Sequence, residues 1–153
     1  MKIVLLCVGK MRNGALSEVC ADYLTRLQRF GSAEVREVKA STRNEINAAR
    51  EEESQRLEKM LEPADRVFVL DERGAQYTSV QCAELMGKLE RESARRMVVA
   101  LGGAYGMTDA FKKRGQLLGL SKLTLPHELC RAVLLEQLYR ARTIQQGLPY
   151  HHA

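Results

Sequence analysis

Apolar and polar positions fall into blocks of two kinds along this chain. Residues 2–8 (KIVLLCV) are almost wholly apolar and stop at Gly9, the pattern of a strand buried on both faces. From Ala15 to Phe30, the apolar residues Leu16, Val19, Cys20, Tyr23, Leu24, Leu27 and Phe30 recur at helical spacing, and Gly31 closes the run. Residues 33–39 (AEVREVK) alternate like a half-exposed strand. Residues 43–61 are rich in good helix formers; Ser41 or Thr42 is the expected cap, with Glu45 at capping-box distance from Thr42, and Pro63 follows the end.

The second half repeats the theme. Arg66–Leu70 (RVFVL) predicts a buried strand ending at Asp71-Glu72-Arg73-Gly74, and a helix is expected over 79–91. Residues 97–101 (MVVAL) form another buried strand that runs into Gly102-Gly103-Ala104-Tyr105-Gly106. A short helix over 108–114 and a short strand around Leu117, Leu118 and Leu120 come next. Pro126 opens a long helix to Gln146, which Gly147 and Pro149 end. Buried strands linked by helices predict an α/β fold with a parallel sheet, in one domain over residues 1–153. Ligands of such sheets sit at the carboxyl ends of strands. Two of those ends are chemically unusual here: Leu70-Asp71-Glu72 and Gly102 through Gly106.

Composition narrows the class. No apolar run approaches the roughly 18 residues of a membrane span, and the N-terminal stretch lacks the features of a signal peptide, so a cytoplasmic protein is expected. The four cysteines form no C-x-x-C pair and read as reduced, small hydrophobes. With three histidines and no cysteine cluster, no metal site is expected. The net charge is +5, and residues 111–153, with seven basic and two acidic side chains, account for all of it. That asymmetry points to a polyanionic partner met by the C-terminal part, or to a solvated basic face.

Four stretches could carry chemistry. Gly102, Gly103 and Gly106 directly follow a strand, where missing side chains let a ligand approach the backbone; a plain tight turn would use them equally well. The spacing G-G-x-x-G matches neither the dinucleotide fingerprint nor a P-loop. Leu120 through His127 is apolar yet too short for a helix before its proline, and suits either an ordered ligand loop or a buried strand. The last helix has a broad apolar face, with Arg131, Arg140 and Arg142 off or at the edge of it. The tail carries Tyr150, His151 and His152, stiffened by Pro149.

These stretches together resemble a known family. The runs G-G-A-Y-G-M at 102–107, L-S-K-L-T-L-P-H-E-L at 120–129, L-L-E-Q-L-Y-R-A at 134–141 and G-x-P-Y-H at 147–151 are similar to the ribosomal RNA large subunit methyltransferase H family, the 23S rRNA pseudouridine N3-methyltransferases of the SPOUT superfamily. Val8-Gly9-Lys10 and Leu70 through Gly74 extend the resemblance over essentially the whole chain.

The resemblance implies a SPOUT-type α/β fold with a C-terminal trefoil knot, a homodimer, and S-adenosyl-L-methionine (SAM) as methyl donor without a metal. Carried over by position, the cofactor contacts are Leu70, Gly103, Ser121, Lys122, Leu123, Thr124, Leu125 and Pro126. Tyr150 and His151 are the expected catalytic residues, and His127, Arg131, Arg140 and His152 the expected RNA contacts. The tail of one subunit would complete the site beside the cofactor of the other, and the 23S rRNA would be met in the large subunit or the ribosome. This sequence departs from the family at His152, where Lys or Arg is usual. Two other readings stay open on the sequence: a knotted RNA-binding protein without catalysis, and a flavodoxin-like module unrelated to RNA.

Overall fold

A computed structural model describes residues 1–152. The chain alternates β1 (Lys2–Val8), α1 (Gly14–Gln28), β2 (Ala33–Val38), α2 (Ile46–Glu58), β3 (Arg66–Gln76), α3 (Ser79–Arg91), β4 (Arg96–Leu101), α4 (Asp109–Lys112), β5 (Gln116–Gly119) and α5 (His127–Gln145). The five strands form one sheet in the order β2-β1-β4-β3-β5, and every pairing is parallel.

Helices cover both faces, which is why β1 and β4 are apolar without alternation. Ile3, Leu5, Cys7, Val99 and Leu101 point to one side, where they pack with Leu27 of α1, Met86 of α3, and Leu134 and Leu138 of α5. Val4, Leu6, Val8, Val98 and Ala100 point to the other, against Leu57 of α2 and Phe111 of α4. β2 lies at an edge, and its alternating pattern reflects that half-covered position.

The sequence-based elements are recovered, with two corrections. The second helix starts later than expected, because Glu45 itself is the cap: its carboxylate accepts the N–H groups of Asn47 (2.9 Å) and Ala48. Ser41 instead bonds Glu52, so neither it nor Thr42 caps the helix.

β3 also runs past Leu70 to Gln76, which local patterning missed. β5 pairs with Phe68 through Leu70, and then, after a register shift, with Ala75 and Gln76. At this irregularity two backbones touch. A Cβ on Gly74 would lie 2.4 Å from the Leu118 carbonyl carbon, and one on Gly119 would lie 2.7 Å from the Gly74 oxygen. Only glycine permits this approach. The charged residues 71–73 therefore belong to a long, kinked strand rather than to a free loop.

Candidate functional site

Strand order decides which loops can meet. β4, β3 and β5 are neighbours, with Val69 level with Ala100 and Leu70 level with Leu118. The carboxyl ends of β4 and β5 release the glycine stretch 102–106 and the stretch 120–126, while Leu70 lies within β3 between them, at its register shift. Leu70, Leu120 and Leu125 pack against the same apolar cluster beneath α5. The expected cofactor residues thus lie on three neighbouring strands or just after them, but Leu70, Leu120 and Leu125 pack on the α5 side of the sheet while Gly103 faces Val8 and Glu53 on the α2 side.

The glycine stretch is a tight turn. The Gly106 N–H bonds the Gly103 carbonyl at 3.0 Å, and Gly106 has φ of 72°. A Cβ on Gly102 would lie 2.8 Å from the Gly106 carbonyl carbon. Ala104 and Tyr105 at its tip are exposed.

One edge of α2 holds this turn. Arg50 Nε donates to the Tyr105 carbonyl at 2.9 Å, and Ser54 Oγ accepts the Thr108 N–H at 3.0 Å. Glu53, only 6% exposed, accepts the Ser41 N–H at 2.9 Å through one oxygen, while its other oxygen faces Gly103 without a hydrogen-bond partner among the described residues. These three residues were read only as helix formers. The signal was present: Glu53 stands midway between Ala49 and Leu57 at four-residue spacing, in the inward stripe of the helix.

The 120–126 stretch is an exposed loop. Ser121 Oγ accepts the Leu123 N–H at 2.9 Å, and the Leu123 side chain is 74% exposed. Lys122, Thr124 and Pro126 are exposed as well, so this segment offers backbone groups to a ligand. Pro126 is the N-cap residue of α5, which starts at the exposed His127. Asp71, next to Leu70, is tied to Arg73 Nε at 2.9 Å and to Lys112 Nζ of α4 at 2.7 Å. Those bonds, Arg73's foremost, hold its carboxyl well below the ordinary range.

The other expected residues lie further along α5 and in the tail beyond it. Arg131 is buried, not displayed for RNA. Nη1 donates to Glu37 at 2.8 Å, and Nη2 to the Val8 and Gly9 carbonyls at 2.7 Å each. It bolts α5 to the ends of β1 and β2. Periodicity placed it at the rim of the apolar face but could not show that strand ends met it there.

Arg140, Tyr150 and His151 do come together. The Tyr150 hydroxyl donates to Glu136 at 3.1 Å and lies 3.2 Å from the Tyr23 hydroxyl, while its ring meets Tyr139 edge-on at 4.7 Å. The Arg140 guanidinium lies over the Tyr150 ring at 4.7 Å, bonds Glu136, and reaches His151 Nδ1 at 3.4 Å. Burial first, then the bonds to Tyr23 and Glu136, pushes the Tyr150 phenol well up, so it is protonated at neutral pH. The tail is anchored; His152 beyond it is exposed.

This cluster is not beside the chain's own 120–126 loop. From Pro126 to Arg140 the helix advances about 21 Å at ~1.5 Å per residue. An apolar cavity of about 210 Å³ lies between them, under α3, α5 and β3–β5, lined by Phe68, Tyr77, Leu118, Leu120, Val133 and Leu138. It includes none of the expected cofactor residues.

A parallel sheet with its glycine turn and proline-ended loop at adjacent strand ends, followed by one long C-terminal helix, defines the class. The family model described as "Predicted SPOUT methyltransferase" matches residues 1–151. In solved structures, the chain is similar to a probable methyltransferase from Bordetella pertussis, with a TM-score of 0.60 at 16% identity over 92% of this chain and 94% of that one. A probable methylase family protein from Haemophilus influenzae gives a TM-score of 0.58 at 13% identity, over 95% of this chain and 66% of that one. At such identities these two speak for the fold alone.

Curated relatives narrow the class. The chain is 42% identical to the ribosomal RNA large subunit methyltransferase H of Geobacter metallireducens over the full length of both. It is 41% identical to that of Pelobacter propionicus, over 99% of this chain and 100% of the relative. The chain belongs to the ribosomal RNA large subunit methyltransferase H family, within the SPOUT methyltransferases.

Proposed function

We propose that this chain transfers the methyl group of SAM to N3 of a pseudouridine in 23S rRNA, as a cytoplasmic homodimer acting on the large subunit or the ribosome. The observation that supports this reading is that Leu70, Gly103 and Ser121 through Pro126 lie on or directly after the three neighbouring parallel strands β3, β4 and β5. The donor set suits SAM. An adenine edge needs backbone hydrogen-bonding groups, which the exposed Lys122–Thr124 segment supplies; a ligand without phosphates needs no P-loop. The glycine turn carries no side chain at Gly102, Gly103 and Gly106, which leaves backbone there open to approach.

When bound, SAM supplies an electrophilic methyl on sulfur; the N3–C bond forms as the S–C bond breaks, and the N3 proton leaves. The protein's part is to hold the two reactants in line, which is worth up to roughly 7–11 kcal/mol. Tyr150, whose hydroxyl donates to Glu136 in the free chain, would turn that proton to the target base when RNA binds. His151 or solvent accepts the N3 proton. In the free chain Arg140 occupies His151 Nδ1, so drawing Arg140 toward a phosphate frees that nitrogen as a base. His127 and His152, both exposed, are left as further RNA contacts, whereas Arg131 is committed to the core.

The separation of the tail cluster from the chain's own loop supports the dimer. Within one copy α5 sets Pro126 and Arg140 about 21 Å apart along its axis; a second copy would bring the expected base of one subunit to the cofactor loop of the other. The test is transfer of tritiated methyl from SAM to ribosomes of a strain lacking this gene, with and without pseudouridine installed. Incorporation only where pseudouridine is present is expected. Equal incorporation without it refutes the specificity, and failure to bind SAM at all supports an inactive RNA-binding protein. Normal single-turnover methylation by a His151→Ala variant removes His151 as the base.

A further inference from the structure

The turn between β1 and α1 is fastened in an unusual way. Its amides are held by carboxylates from two distant elements. The Met11 N–H donates to Glu37 at the end of β2 (3.2 Å), and the Arg12 and Asn13 N–H groups donate to the two oxygens of Glu128 in the first turn of α5 (2.7 and 3.1 Å). Those two bonds hold the Glu128 carboxyl below its ordinary range. Asn13 then caps α1 through the Leu16 N–H at 3.0 Å.

The two cations of this turn are left free. Lys10 and Arg12 are exposed, and among the described residues neither has an ion-pair partner within 4.0 Å. Glu37 and Glu128 are the carboxylates at hand, yet they bind backbone N–H groups, and Glu37 also pairs with Arg131. Such an arrangement leaves the neighbouring charges unneutralised and sets a hydrogen-bonded backbone under two exposed cationic side chains. Further exposed, unpaired cations follow other strand ends: Lys39 after β2 and Lys122 after β5. Glu128 stands two residues beyond Pro126, so the turn is buttressed from the end of the expected cofactor loop itself.

We infer that the Gly9–Asn13 turn is a phosphate-binding element for the RNA substrate, with Lys10 and Arg12 as its contacts and Glu128 as the residue that positions them. This rests on the RNA methyltransferase reading above. Arg12 suits a phosphate through its planar fork, and Lys10 as a point charge. Glu128, an acidic residue, acts here in favour of a polyanion by fixing the loop.

That sign is what the experiment reads. Binding of purified large ribosomal subunits is measured over a potassium chloride series, with S-adenosylhomocysteine affinity measured by calorimetry alongside. Lys10→Gln and Arg12→Gln should each weaken subunit binding about threefold to tenfold and make the slope of log K against log salt shallower by ~0.7–0.9. Glu128→Ala raises the net charge by one, so charge alone would tighten binding; the inference requires it to weaken, with S-adenosylhomocysteine affinity unchanged. Tighter or equal binding by Glu128→Ala overturns it, as do unchanged salt slopes in the other two variants. Parallel loss of S-adenosylhomocysteine affinity overturns it too, by placing Glu128's effect in the cofactor loop. A wild-type protein that binds no subunits overturns the RNA reading along with it.

Discussion

Arg131→Met separates two roles for one residue. As an RNA contact, Arg131 would be dispensable for folding; as a bolt, it would not. The side chain is 2% exposed and satisfies three acceptors at once: Glu37 and the carbonyls of Val8 and Gly9. Methionine fills similar space and leaves all three without that donor. Removing one member of a buried charge pair typically costs about 3–5 kcal/mol. Glu37 is a third exposed and can rehydrate, so the lower end applies, about 3 kcal/mol. For a chain of this size, each kcal/mol moves the melting temperature by about 2–4 °C, so a fall of about 6–12 °C is expected. Urea unfolding followed by circular dichroism gives the free energy directly. A variant that melts within about 2 °C of the wild type but binds ribosomal subunits poorly would refute the structural assignment and restore Arg131 to the RNA surface.

Three further outcomes follow from the geometry. Gly74→Ala drives a methyl into the Leu118 backbone and should cost about 3 kcal/mol or more, while Gly14→Ala, with open space at the start of α1, should be neutral or stabilising by up to ~1 kcal/mol; paired melting curves compare them. Ser54→Ala strips the Thr108 N–H of its acceptor and should cost about 1–2 kcal/mol, read as roughly tenfold faster amide exchange at Thr108. Asp71→Asn removes a carboxylate whose native pKa is depressed by Arg73 and Lys112. Its stabilisation is fully present above the unfolded pKa of about 3.9 and lost as pH falls through the lower native value, so the gap between wild type and variant should be constant near neutrality and close below about pH 4.

Local pattern carried the architecture because parallel strands covered on both faces must be apolar throughout, as in β1 and β4, and because helical stripes repeat within a few residues. It also marked Gly102–Gly106 and Leu120–Pro126 as stretches that a tight turn and a buried strand would explain as well as a ligand site would. The extension of β3 beyond Leu70 was not legible, because Asp71, Glu72 and Arg73 look like loop residues until β5 is laid against them.

By itself, the sequence determined the order of strands and helices, the family, and the residue types available for chemistry. It could not decide partners, because pairing depends on which strands become neighbours. Only the order β2-β1-β4-β3-β5 makes neighbours of the strands that carry or precede Leu70, Gly103 and the 121–126 loop, and only the tertiary packing turns Arg131 inward onto Val8 and Gly9 and brings Glu128 across to the amides of Arg12 and Asn13. Periodicity records which face of an element is buried; what that face meets is a contact between residues more than a hundred positions apart, and no local pattern encodes it.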